Sequence, residues 1–162
     1  MKNPALIKNN MPDLMKHIKS LAKFDVLVGI PSGAGDEPGA EISLASVGYI
    51  QEYGSAAKNI PARPFLIPGI ADAKDKITAA FKKGALAAIK GDAAGVENCF
   101  TEAGLAAVPA VKLRIDSIIP PPLAPGTLYN RKHRKERPNS RTTPLRDKDD
   151  MYKAIQFVVR RK

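Results

Sequence analysis

The stretch 49–66 constrains the chain most, because a helix stop and a helix start meet there in quick succession. Ala45, Gly48, Tyr49, Glu52 and Tyr53 recur at helical spacing, and Gly54 follows where a left-handed C-terminal residue is needed, so a short helix ends at that glycine. After a polar gap comes Ile60-Pro61-Ala62-Arg63-Pro64-Phe65-Leu66. Each proline disfavours the α conformation in the residue before it, so Ile60 and Arg63 are expected to be extended. Pro64 suits the first turn of a new helix, where its missing N–H would be unpaired anyway. An arginine is thereby held on stiff backbone between two helix ends, with Glu52 near enough in sequence to partner it. Two roles fit Arg63: a loop arginine paired to Glu52 for folding alone, or the fixed point of a contact surface.

Upstream, Leu14, Ile18 and Leu21 repeat at three and four residues while Lys16, Lys19 and Lys23 fall off the stripe, which predicts an amphipathic helix with a basic outer face. Val26, Val28 and Ile30 alternate with Leu27 and Gly29, predicting a strand over 25–30 that is apolar on both sides and wants cover on each. The glycines of 31–39 read as loop. No Lys-Ser or Lys-Thr follows them, and Asp36 with Glu37 would repel a phosphate.

Downstream, Leu66, Ile70, Ala73, Ile77, Phe81, Gly84 and Ala88 share one stripe. It predicts a helix about 40 Å long over 64–90, with Pro68-Gly69 as its point of interruption. Gly91-Asp92 ends that helix and caps the next, over 93–118, whose inner face carries Val96, Phe100, Ala103, Ala107, Val111, Ile115 and Ile118. Pro109 should kink it. Two helices joined by so short a break fold back as an antiparallel pair, and their many alanines allow close approach.

Composition changes at Pro120-Pro121-Pro122. No apolar periodicity follows as far as Arg146, and Arg131, Lys132, His133, Arg134, Lys135, Arg137 and Arg141 crowd a proline-rich polar stretch, which predicts an extended basic arm ordered by a partner. Asp147, Lys148, Asp149 and Asp150 then lead into a short helix over 151–155, and 156–159 is a β-prone run able to lie beside 26–30. The expected class is α+β: a small mixed or antiparallel sheet packed against long antiparallel helices, with an extended basic arm. Three regions are expected: a core with paired helices over 1–118, the arm over 119–146, and a short helix and strand over 147–162 that return to the core.

Lys and Arg total 26 against 16 Asp and Glu, a net charge of +10. That points to a polyanion or to an acidic protein neighbour, without choosing between them. Cys99 stands alone among apolar neighbours as a small filler, so no intrachain disulfide is available. No run approaches the ~18 apolar residues of a membrane span. His17 and His133 have no metal-ligand spacing, and the Asp147, Asp149, Asp150 cluster lacks the glycine and distal glutamate of a calcium loop, its acids serving to cap a helix. No Ser or Thr carries a His and acid arrangement. Neither a metal, a cofactor nor a catalytic residue is expected. Tyr129 alone offers little stacking, so the arm suits phosphate contacts without sequence preference.

The string Glu52-Tyr53-Gly54, gap, Ile60-Pro61-Ala62-Arg63-Pro64-Phe65-Leu66 resembles the signature of the virion-morphogenesis and tail-completion proteins of tailed bacteriophages, small proteins of the head–tail neck. The last third adds to the likeness, with Pro122-Leu123 and Thr127, a basic run from Arg131 to Arg141, Pro144-Leu145, Asp147, Met151, Ala154-Ile155 and Phe157-Val158-Val159. These follow the family's order of a Pro-Leu element with a threonine, a basic loop, a second Pro-Leu, an acidic residue, a short helix and a last strand. Where the family often has Asp-Thr-Gly, this chain has Asp147-Lys148-Asp149, which removes the glycine of a tight turn while leaving the helix after it.

The resemblance runs from the first strand to the terminus. It implies a structural protein and not an enzyme, made in the host cytoplasm and carried in the virion at the neck or tail end, where copies form a ring around the DNA path. Neighbouring neck, connector and tail proteins are the implied partners. Glu52, Tyr53, Gly54, Pro61, Arg63, Pro64 and Phe65 then form the assembly interface, with Phe65 as an apolar anchor. Arg131, Lys132, Arg134, Lys135, Arg137 and Arg141 bind a neighbour or packaged DNA. The alternative from residue chemistry is a nucleic-acid-binding accessory protein that uses the flexible basic arm.

Overall fold

The computed structural model describes residues 11–36 and 42–162, so part of the glycine loop lies outside the described residues. Helix α1 (Met11–Leu21) leads into strand β1 (Phe24–Gly29) and, beyond the loop, helix α2 (Leu44–Tyr53). Then come α3 (Leu66–Asp72), α4 (Lys74–Ile89), α5 (Ala93–Asp116), α6 (Pro125–His133), α7 (Asp150–Ala154) and strand β2 (Gln156–Arg161).

Helix α5 is the axis on which α3, α4 and both strands pack. Its inner face follows the predicted periodicity, with Val96, Cys99, Phe100, Ala103, Ala107, Val111 and Ile115 all buried. Gly91, at φ 75°, ends α4, and the Asp92 carboxylate accepts the Gly95 N–H at 2.9 Å to cap α5. The antiparallel return is close because glycines face it. Gly84 lies against the Cys99 side chain, and a Cβ on Gly69 would come within 2.6 Å of Val111 Cα.

The strands pair antiparallel, with Val26 opposite Val159 and Leu27 opposite Val158. One face of this sheet lies on α5, where Gly104 makes room for the Phe157 ring. The other presents Leu27 and Val158 to solvent, so the cover expected on both faces of β1 is found on one. The core has two parts. Around the C-terminal half of α5 gather Leu44, Phe65, Ile119, Leu145, Met151 and Ile155; around its N-terminal half, Ala88, Val96, Cys99 and Phe100 are covered by Leu21, Phe24, Val26 and Val159. Each large buried side chain of this kind contributes about 2 kcal/mol relative to exposure.

The α+β class with paired long helices is thus as the sequence pattern expects, and three details differ. The long first helix breaks at Ala73, not at Pro68-Gly69, because Pro68 falls in the first turn of α3, where its missing N–H costs no helical bond. α5 contains Pro109, as expected. It stops at Asp116, leaving Ile118 65% exposed with φ 58° instead of on the inner face. The segment 119–146 is not an extended arm: Pro125 opens α6, and the chain folds back along it.

Candidate functional site

α3 gets no cap from its own N-cap residue, since Phe65 occupies that position. The N–H groups at a helix start need acceptors, and Glu52 supplies them from α2 for three residues, Pro68 having no N–H to satisfy. Its Oε2 accepts the Phe65 and Leu66 N–H groups at 2.8 Å each, and its Oε1 accepts that of Ile67 at 3.1 Å. Glu52 is 6% exposed. It is therefore the cap of α3 and not the partner of Arg63. Gly54 ends α2 as expected, with its N–H on Ile50 O at 2.7 Å, but with φ 77° and ψ 179° it lies outside the left-handed helical region, in a conformation that suits glycine alone.

Arg63 points the other way. Its backbone N–H donates to Gln51 O at 2.7 Å, while Nε donates to Pro121 O at 3.0 Å and Nη2 to Pro122 O at 3.4 Å. The side chain so ties the 60–65 segment to the turn after α5. Among the described residues no carboxylate pairs with it. Burial, to 7% exposure, pushes the guanidinium pKa down.

Arg131 is the second buried guanidinium, 6% exposed. From α6 its Nη1 donates to Arg141 O at 2.9 Å and Thr143 O at 3.0 Å, and its Nη2 to Pro144 O at 2.9 Å. These bonds hold the returning chain against the helix. Asp147 lies 3.5 Å from Arg131 Nε and takes a two-pronged pair from Arg134 at 2.7 Å on each oxygen. Burial would raise the Asp147 carboxyl, but the hydrogen bonds from Arg134 and Asn139 and the charges of Arg131 and Arg134 bring it down to about 2. Arg137 binds Asp150 at 2.8 Å, Arg141 binds Asp149, and Arg146 bridges Asp149 at 2.7 Å and Asp116 at 2.6 Å.

The acids after 146 are therefore charge partners of the arm. Asp149, at the N-cap of α7, makes no side-chain cap bond. At φ 68° it makes the left-handed turn for which the resembled pattern uses glycine. Lys132 and Lys135 remain exposed and unpaired among the described residues.

These pieces enclose a cleft of about 350 Å³, lined by Pro61, Arg63, Pro122, Leu123, Thr127, Arg131 and Pro144 with Gln51 and Asn59. No family model, curated protein or solved structure matches the chain. Of the expected interface residues, Tyr53, Pro61 and Pro64 are exposed, whereas Glu52 and Phe65 are buried and Arg63 reaches only the cleft. Tyr49 joins the exposed set: its ring packs on that of Tyr53 at 4.8 Å, beside a groove of about 360 Å³ that includes Val28, Ile30 and Ile67.

Sequence reasoning missed the carbonyls that receive the two arginines, because backbone acceptors leave no mark in composition. It also missed the pairing of five arginines with the acids that follow. That signal was present, as a basic run answered at once by an acidic one. Among the described residues no group of three metal-ligating side chains forms, and no helix is long and apolar enough to cross a membrane.

Proposed function

We propose that this chain is a structural protein of a tailed-phage virion that acts at the neck in tail completion or head–tail joining, as a ring of copies around the DNA path. One observation carries the reading. Several of the residues that bear the resemblance, from three separated stretches, line a single cleft: Ile60, Pro61 and Arg63, then Pro122, Leu123, Thr127 and Arg131, then Pro144. A joint held to one shape would account for this meeting of residues so far apart in the chain.

In this reading Glu52 and Arg63 work from inside, fixing where the exposed ledge of Tyr49, Tyr53, Pro61 and Pro64 stands. Paired exposed tyrosines next to an apolar groove are the kind of anchor that dominates protein contacts. Sedimentation and electron microscopy of the full chain, and of virions carrying a labelled copy, test the proposal. A ring or a neck location is expected, and the double substitution Tyr49→Ser, Tyr53→Ser should abolish assembly while leaving thermal stability within about 0.5 kcal/mol. A chain that stays monomeric and is missing from particles would end the proposal.

The accessory nucleic-acid reading has less support, because the arm's arginines are engaged with carboxylates and carbonyls of their own chain. Two exposed lysines in the arm, Lys132 and Lys135, would displace few counterions, so any binding through it should show a shallow salt dependence.

A further inference from the structure

We infer that the cleft between Arg63 and α6 receives a single carboxylate, borne by an extended acidic segment of a neighbouring protein subunit. The cleft has two guanidiniums in its wall and no carboxylate. Arg63 Nε and Nη2 are engaged by Pro121 O and Pro122 O, while Nη1 has no partner among the described residues and is not sealed from solvent. The side chains of Gln51, Asn59 and Thr127 line the same space and likewise have no partner there. Ala124, at the start of α6, lines the cleft as well, and that helix end carries no side-chain cap.

The charge count points the same way. Asp147, the carboxylate nearest Arg131, already holds Arg134 with both oxygens, and Arg63 has none. A buried guanidinium without a counter-charge is costly, and carbonyl oxygens offset only part of that cost. An arriving carboxylate would take charge-assisted bonds from Nη1 and from Thr127 or an amide of the wall.

The occupant follows from depth. A duplex presents its phosphates on a broad convex surface, which cannot descend to guanidiniums this buried. One Asp or Glu side chain on an extended strand can, with Pro61, Leu123 and Pro144 as apolar walls for its neighbours. The volume is at the small end of ligand pockets, room for a side chain and its flanks. The identity of the donor as a neighbouring subunit rests on the assembly reading; the carboxylate specificity rests on the cleft.

The test uses the full chain labelled at arginine nitrogens and follows the Arg63 Nε–H resonance. It is titrated to millimolar concentration with acetyl-Ala-Glu-Ala-amide, with the glutamine analogue, with inorganic phosphate and with a short DNA duplex. A saturable shift is expected with the glutamate peptide, weakened about tenfold or more for the glutamine analogue and for phosphate, and absent with the duplex. Thr127→Val, at an exposed position, should weaken it about fivefold without moving the melting temperature. No shift with the glutamate peptide, equal shifts with glutamate and glutamine, or tighter binding of phosphate or duplex would each overturn the inference. The neck reading is judged on particles, so a silent cleft in a virion protein and a carboxylate-binding chain absent from virions are separate, distinguishable failures.

Discussion

Glu52 uses both carboxylate oxygens on backbone N–H groups thirteen to fifteen residues further on. Removing it leaves the Phe65 N–H buried without an acceptor. Glu52→Ala is therefore expected to cost about 3 kcal/mol in denaturant unfolding, and Glu52→Gln, which keeps one acceptor oxygen, about half of that. Ile118 offers the opposite case. It is β-branched, exposed, and held at φ 58°, a conformation that costs about 1–2 kcal/mol for such a residue. Ile118→Asn should raise stability by about 1 kcal/mol, read as a shift of the urea midpoint at constant slope. The special standing of Glu52 and Arg63 was legible from the prolines and the glycine around them. Their separation was not. An N-cap occupied by phenylalanine leaves a helix start in need of an acceptor, and that need, not proximity to an arginine, sets the carboxylate's direction.

Between elements, α3 crosses α5 with Gly69 set against backbone and not only against a side chain. Gly69→Ala would press a methyl against the Val111 backbone, which cannot move aside as a side chain would, and a loss of about 2–3 kcal/mol is expected in thermal unfolding. The α6 return depends on charge instead. The Asp147 carboxyl is held at about 2, and that of Asp149 is also held low, where burial works against its hydrogen bonds from Arg141 and Arg146. Both are depressed groups, so their contribution is complete above the ordinary carboxylate range and is lost as pH falls through the folded values. Protection of the amides in 131–150, measured against their intrinsic exchange rates, should thus fall between about pH 4 and pH 2, ahead of protection in α5. Periodicity made α4, α5 and the β1–β2 pairing legible, because each buries a regular stripe. It could not show α6, whose order comes from Arg131 and from acids thirteen and more residues away.

At the scale of the molecule, the net charge of +10 is distributed differently from what the basic run suggests. With the arm's arginines paired, the cations left unpaired among the described residues include Lys16, Lys19 and Lys23 near α1 and Lys74, Lys76, Lys82 and Lys90 along α4. If duplex DNA binds at all, replacing Lys74, Lys76 and Lys82 by glutamine should lower its affinity and flatten the salt slope by about 3, whereas Lys132→Gln with Lys135→Gln should flatten it by at most 2.

The pairing of β1 with β2 also bears on how the chain is made, since helices α2 to α7 lie in sequence between the two strands. During synthesis β1 emerges before its partner and waits, edge bare on both sides, until the helices between them and β2 itself have left the ribosome. A copy cut short before 156 would keep that bare edge permanently, ready to seize the wrong strand from another nascent copy. In the ring proposed above, where copies stand side by side, unfinished chains would thus be the most dangerous neighbours.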